Sequence, residues 1–191
     1  MPTRHSVDVD GEEVVAVHHA PDDRGDSDRW MLFSHGLVSD KTGSYEERAD
    51  CAAAEGYSAV RFDHRGCGES DRGFDEQGLG TRIEDLRAVI DYFGAERRVL
   101  FGSSFGGRVA LHVAADDGAL AVAVRAPVTY NEVFDGRDLG AEFTDALDDR
   151  PFSDVAASLD TPLAVFHGRD DETVGLGYSA DAVAAVETDS V

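Results

Sequence analysis

The stretch Leu100-Phe101-Gly102-Ser103-Ser104-Phe105-Gly106-Gly107 constrains this chain more than any other. An apolar run, Arg98 to Phe101, enters it, and a helix-compatible run, Gly107 to Ala115, leaves it. Between them lies G-x-S-x-G, with Ser104 at its centre. Strand, sharp turn and helix in that order hold a serine in a strained backbone conformation, its hydroxyl at the carboxyl end of the strand. Side chains at Gly102 or Gly106 would clash as strand and helix close on each other, so glycine is a physical requirement there.

The surrounding pattern supplies that context. Ser6–Asp10 and Val14–His18 flank Asp10-Gly11 and read as an opening hairpin. Trp30–Phe33, Ser58–Asp63, Arg98–Phe101, Ala119–Val124 and Pro162–Phe166 read as strands. Helices are expected from Ser44, which has capping-box spacing to Glu47, and from Thr81, spaced likewise to Glu84. The second carries Ile83, Leu86, Ile90 and Phe93 on one face and stops at Gly94. Short helices are expected near 142–147 and 153–159, and a last one over 177–187. Strands alternating with helices from residue 30 onward predict a mainly parallel, twisted α/β sheet with helices on both faces. The 191 residues make one domain, 1–191, in which Tyr130 to Asp149 is acidic and irregular.

Charge narrows the partners. Against 17 basic residues stand 39 acidic ones, a formal net charge of −22. Lys41 is the only lysine, and Asp outnumbers Glu about two to one. Such a surface repels nucleic acid and anionic membranes. An Asp-rich, Lys-poor chain points to a salt-loving source, where salt screens the self-repulsion. Cys51 and Cys67 have no C-x-x-C spacing and read as free thiols of a reducing cytosol. There is no apolar signal core and no long apolar run, so the expected location is cytoplasmic. No His/Cys/Asp cluster has metal-ligand spacing, and the loop Arg65–Ser70 is glycine-rich but lacks a phosphate-binding lysine, so no cofactor is expected.

An activated serine needs a base, an orienting acid and backbone N–H groups aimed at the developing oxyanion. One N–H is expected from Phe105, directly after Ser104. The other is expected from the loop His35-Gly36-Leu37 after the Trp30 strand, with Leu37 as donor and His35 as a structural residue. The acid is expected in His167-Gly168-Arg169-Asp170-Asp171-Glu172-Thr173-Val174, where spacing alone leaves Asp170 and Asp171 open. Arg125, at a strand end, has two readings: a site for a substrate carboxylate, or a partner for local acids. Tyr130, Phe134 and Phe143 likewise either line an acyl pocket or pack their segment onto the core. His112 reads as structural.

Five pieces in order, Phe33–Leu37, Arg61–Ser70, Phe101–Gly107, Arg125–Val128 and His167–Val174, resemble the α/β-hydrolase superfamily, in its group of small esterases and serine aminopeptidase-type hydrolases. The resemblance spans about residues 28 to 190. It implies an α/β-hydrolase fold with a small lid-like segment at about 129–160, Ser104 as nucleophile, the N–H groups of Leu37 and Phe105 as oxyanion hole, and hydrolysis of esters, less readily amides, of small acyl compounds through an acyl-enzyme. The pattern H-G-x-x-D-x-x-V places the acid on Asp171. In one respect the chain departs from the family, whose catalytic histidine follows the acid beyond one more strand. None of His5, His18, His19, His35, His64, His112 and His167 follows Asp171. A missing last strand, with Pro162–Phe166 left at a sheet edge, is one reading of this. A non-catalytic protein that kept the fold is another, and a substitute base from His35 or His64 is a third.

Overall fold

The structure is a computed structural model and describes residues 1–21, 27–134, 139, 143, 147 and 151–186. Strands β1 (Thr3–Val9) and β2 (Glu12–His19) form an antiparallel hairpin. Asp10 and Gly11 close it with φ of 55° and 88°. Two successive positive φ values give the turn whose twist matches that of the strands. Five more strands follow: β3 (Arg29–Ser34), β4 (Ser58–Phe62), β5 (Arg97–Ser103), β6 (Ala121–Arg125) and β7 (Leu163–Phe166). They pair in parallel, and the sheet order is β1-β2-β4-β3-β5-β6-β7. The hairpin joins through an antiparallel β2–β4 pairing.

Five helices, α1 (Ser44–Ala54), α2 (Leu79–Phe93), α3 (Phe105–Asp117), α4 (Phe152–Ser158) and α5 (Leu176–Ala185), are described. Alternate residues of the central strands face opposite sides. Leu32, Leu100, Val122 and Val124 pack with Ile83, Val109, Val113, Val155 and Ala182 of the later helices. Phe33, Ala59 and Phe101 meet Tyr45, Ala49 and Ala52 of α1 in a second, smaller cluster. The fold is therefore the expected one, an α/β-hydrolase sheet with helices on both faces. Strand β7 stands at one edge among the described residues.

Helix α1 starts at Ser44 as expected, though without the capping box, and α2 starts earlier than expected. Gly43, with φ 61°, precedes α1, and Ser44 is already helical, its hydroxyl accepting from Arg48. Helix α2 starts at Leu79 behind Gly78, not at Thr81. Leu79 and Arg82 are buried, so packing extends the helix past the residue that local capping would choose. The helix expected near 142–147 lies outside the described residues except for Phe143 and Leu147, both buried. No helix among the described residues is long and apolar enough to cross a membrane.

Leu100 is fully buried in the central strand. Replacing it by alanine should cost about 3 kcal/mol through lost transfer energy and the cavity left behind, read as a lower denaturant midpoint with an unchanged slope.

Candidate active site

Strand register sets the site. Ser34 lies level with Gly102, Ser103 with Arg125, and Arg125 with Phe166. The loops that follow β3, β5, β6 and β7 therefore gather at the carboxyl edge of the sheet, where ligands of such sheets bind.

Ser104 sits between β5 and α3 with φ 54° and ψ −122°. Non-glycine backbone of this kind costs on the order of 1–3 kcal/mol and persists only where the surroundings over-determine it. Here Ser104 N donates to Arg125 O at 2.9 Å, and Ser104 O accepts from Gly107 N at 3.0 Å and Val128 N at 3.2 Å. A Cβ on Gly102 would lie 2.2 Å from Gly106 O, so strand and helix do close on each other there. Gly106 is required for a different reason from the one expected. Its Cβ would lie 2.3 Å from Ser34 O and 2.4 Å from His35 O, so it packs on the loop after β3.

That loop brings Gly36 against the serine. A Cβ on Gly36 would be 3.5 Å from Ser104 Cβ and 4.0 Å from Ser104 Oγ. Phe105 is the first residue of α3, so its N–H has no acceptor within the helix. Leu37, Ser104 and Phe105 together line a cleft of about 210 Å³, walled by Val128, Val133, Phe134 and Val174. A second cleft of about 320 Å³ opens from Ser104 towards Tyr45, Arg125 and Asp171. Phe134 meets the Phe105 ring edge-on and Phe143 packs on it at a tilt, with centroids 5.5 and 5.1 Å away. Phe143 is thus core packing, while Phe134 both packs and lines the apolar cleft. Tyr130 packs against Tyr178 and Phe152.

Of the two open acids, Asp171 lines the cleft and Asp170 is exposed outside it. Asp171 Oδ1 accepts the N–H groups of Thr173 and Val174, both at 2.9 Å. Those bonds, the one from Val174 first, hold its carboxyl below the ordinary 3.8, and the charges of His167 and Arg125 act in the same direction. Arg125 makes no ion pair among the described residues; its charge is felt by Asp171 at longer range.

No histidine lines either cleft. His167 uses Nε2 on Val174 O at 2.8 Å and Nδ1 on the Ser179 hydroxyl at 2.6 Å, which ties down the Asp171 loop. His35 donates from Nδ1 to Gly36 O at 2.8 Å and accepts the His64 N–H on Nε2 at 3.1 Å, the structural role expected of it. His64 bonds Ser34 Oγ at 2.8 Å and Asp85 at 3.3 Å. Burial pushes both rings well below the usual histidine range, helped for His35 by His64 and the Arg82 charge and for His64 by the Arg82 and Arg65 charges. Neither is placed as a base for Ser104. His112 is buried within α3.

Sequence reasoning missed the charged residues beneath the rim. Lys41, the sole lysine, is buried against Asp63 and Glu69. Asp63 also accepts the N–H groups of Lys41 at 2.7 Å and Glu69 at 2.8 Å. Arg82 is fully buried below the Gly36 loop. A signal for it existed: Leu79, Arg82, Ile83 and Leu86 recur at helical spacing, which puts an arginine in the apolar stripe.

Residues 29–134, more than half of the chain, match the family described as alpha/beta hydrolase fold, and the chain belongs to it. Among curated proteins it is 39% identical over 59 residues to the human palmitoyl-protein thioesterase ABHD10, mitochondrial, covering 31% of this chain and 19% of that protein. It is 33% identical over 102 residues to the quorum-quenching protein AidA of Acinetobacter baumannii, covering 49% of this chain and 33% of that one. The match thus spans a third or less of these relatives. Among solved structures, Est1E from Butyrivibrio proteoclasticus with ferulic acid bound superposes at TM-score 0.84 with 19% identity, over 98% of this chain and 88% of that one. Mouse alpha/beta hydrolase domain-containing protein 10 gives TM-score 0.76 with 18% identity, over 99% and 88%. These two likenesses show the fold.

Gly106→Ala tests the close approach at the elbow. Both atoms it would strike are backbone, so the loop or the helix must shift, and a loss of about 3 kcal/mol or failure to fold is expected. Urea denaturation of the purified variant measures it.

Proposed function

We propose that this chain is a serine hydrolase of carboxylic esters, working through an acyl-enzyme. The carrying observation is Ser104, held at positive φ at the meeting point of two clefts, with Leu37, Phe105 and Asp171 around it. In this reading Ser104 Oγ attacks the ester carbonyl. The N–H groups of Leu37 and Phe105 receive the oxyanion, and the apolar cleft takes the acyl part. Asp171, with Oδ1 spent on the backbone, uses Oδ2 to orient an imidazole. Water then releases the acid. The printed name of the human relative adds thioesters to the substrates worth testing.

In this reading the imidazole is not that of His35, His64 or His167, whose ring nitrogens bond to other groups, and no histidine lines either cleft. It enters, in the same reading, beside Asp171 from outside the two clefts. A second reading rests on the same observation: a chain with no base in the cleft is a non-catalytic member of its family. Added imidazole separates the two. Without a base, binding and the hole leave roughly 10³–10⁴ over water in comparable enzymes. The hydrolase reading expects slow cleavage of 4-nitrophenyl acetate, accelerated by imidazole and abolished in Ser104→Ala, together with fluorophosphonate labelling at Ser104. Inert behaviour with imidazole present supports the non-catalytic reading. Because Asp171 stays ionised to below its ordinary value, any loss of rate between pH 8 and 5 should follow the imidazole, not the carboxylate.

A salt-loving source is part of the same reading. At −22 the chain repels itself, and screening should relieve that. The thermal midpoint should rise steeply from low to molar sodium chloride; a flat response would remove the physical basis for this origin.

A further inference from the structure

The guanidinium of Arg82 is fully buried, and all five of its N–H groups are spent. Nε donates to Gln77 Oε1 at 2.6 Å. Nη1 donates to His35 O and Gly36 O, both at 3.2 Å. Nη2 donates to Leu37 O at 2.8 Å and to Cys67 Sγ at 3.2 Å. Its carbon lies 5.3 Å from the centre of the Phe105 ring. No carboxylate stands within ion-pair distance of it among the described residues. A buried cation is expensive unless its partners are worth the desolvation. Here the partners are three successive carbonyls of one loop and the ring of the residue after the nucleophile.

We infer that Arg82 is the positioning residue of the oxyanion hole, fixing the Leu37 N–H through the carbonyls of its loop and bracing Phe105 by its ring. This rests on the reading of those two N–H groups as the hole. The argument is one of peptide geometry. In a trans peptide the C=O and the following N–H point in opposite directions within one plane. Arg82 and His35 Nδ1 both hold Gly36 O, so the Leu37 N–H points away from them. Ser104 lies against Gly36. A cation on the carbonyl also polarises the peptide and strengthens the N–H as a donor. A lysine keeps the charge but cannot reproduce the fork. Burial lowers the Arg82 pKa to about 10, which leaves it cationic at neutral pH.

The experiment uses Arg82→Lys and Arg82→Met, each checked for folding by near-ultraviolet circular dichroism. Lysine is the variant that keeps a cation should methionine fail to fold. Three readouts are taken: 4-nitrophenyl acetate kinetics with imidazole, inhibition by phenylboronate as a tetrahedral adduct of Ser104, and the amide signals of residues 35–38 and 105 in 1H–15N spectra. In the folded variants kcat should fall about tenfold or more, short of the roughly 10²–10³ that losing a hole donor costs. KM should hold, boronate inhibition should weaken by the same factor as kcat, and the Leu37 and Phe105 signals should shift. A folded variant whose kcat, boronate inhibition and Leu37 signal match the wild type overturns the inference. If the wild type neither cleaves ester nor binds boronate, the hydrolase reading falls, and the Leu37 signal alone decides: a shift supports the clamp, none overturns it.

Discussion

Gly106 lies on the carbonyls of Ser34 and His35 with no room for a methyl group. Everything at the carboxyl edge of the sheet depends on that contact. It sets how far α3 sinks between β5 and the loop after β3, and hence where Ser104 meets Gly36. Gly102 makes the matching contact from the strand side. With two backbones this close, the conformation of Ser104 is imposed by its neighbours and does not depend on its own side chain. The strain is local, and its restraint is spread over Arg125, Gly107 and Val128.

Such closeness places carbonyl groups where water cannot reach them, so each needs a donor from within. The buried arginines supply them. Arg82 serves the loop after β3. Arg65 binds Asp85, which in turn holds the His64 ring below Ser34. Lys41 and Asp63 bind that loop to the glycine-rich turn after β4, where Gly68 leaves room for the Asp63 carboxylate. These groups give little net stability, because their desolvation offsets most of their attraction. What they fix is one arrangement of loops out of many. A chain with few cations has placed three of them under its candidate site.

The fold was legible because hydrophobic period and turn residues act locally. Asp10-Gly11 specified its hairpin, and the strands alternated as their composition implied. Ser104, Gly102 and Gly106 were legible because a sharp turn admits few residue types. The reason for Gly106 was misassigned, since a contact with a loop seventy residues earlier leaves no mark on the local sequence. The start of α2 was misjudged for a related reason: burial of Leu79 and Arg82 outweighed a capping threonine. Spacing alone left Asp170 and Asp171 open, because both fit a strand-end loop. Their surroundings differ: Asp171 lines the cleft and takes two backbone N–H groups, a turn that spacing does not reveal.

The two faces of the sheet are unequally covered. On one, four helices close a continuous core. On the other, α1 alone among the described residues reaches β3 and β4, and an apolar groove of about 580 Å³ remains over Met31, Phe33, Phe101, Ala123 and Phe166. Phe166 is 57% exposed, on an edge strand. Parallel sheets are stable when both faces are covered, so the groove is a place where water is excluded poorly and cover would be favourable. Ser44 lines both this groove and the cleft that holds Ser104 and Asp171. An element laid along the groove would therefore pass the mouth of that cleft, so cover for the sheet and access to Ser104 are geometrically linked.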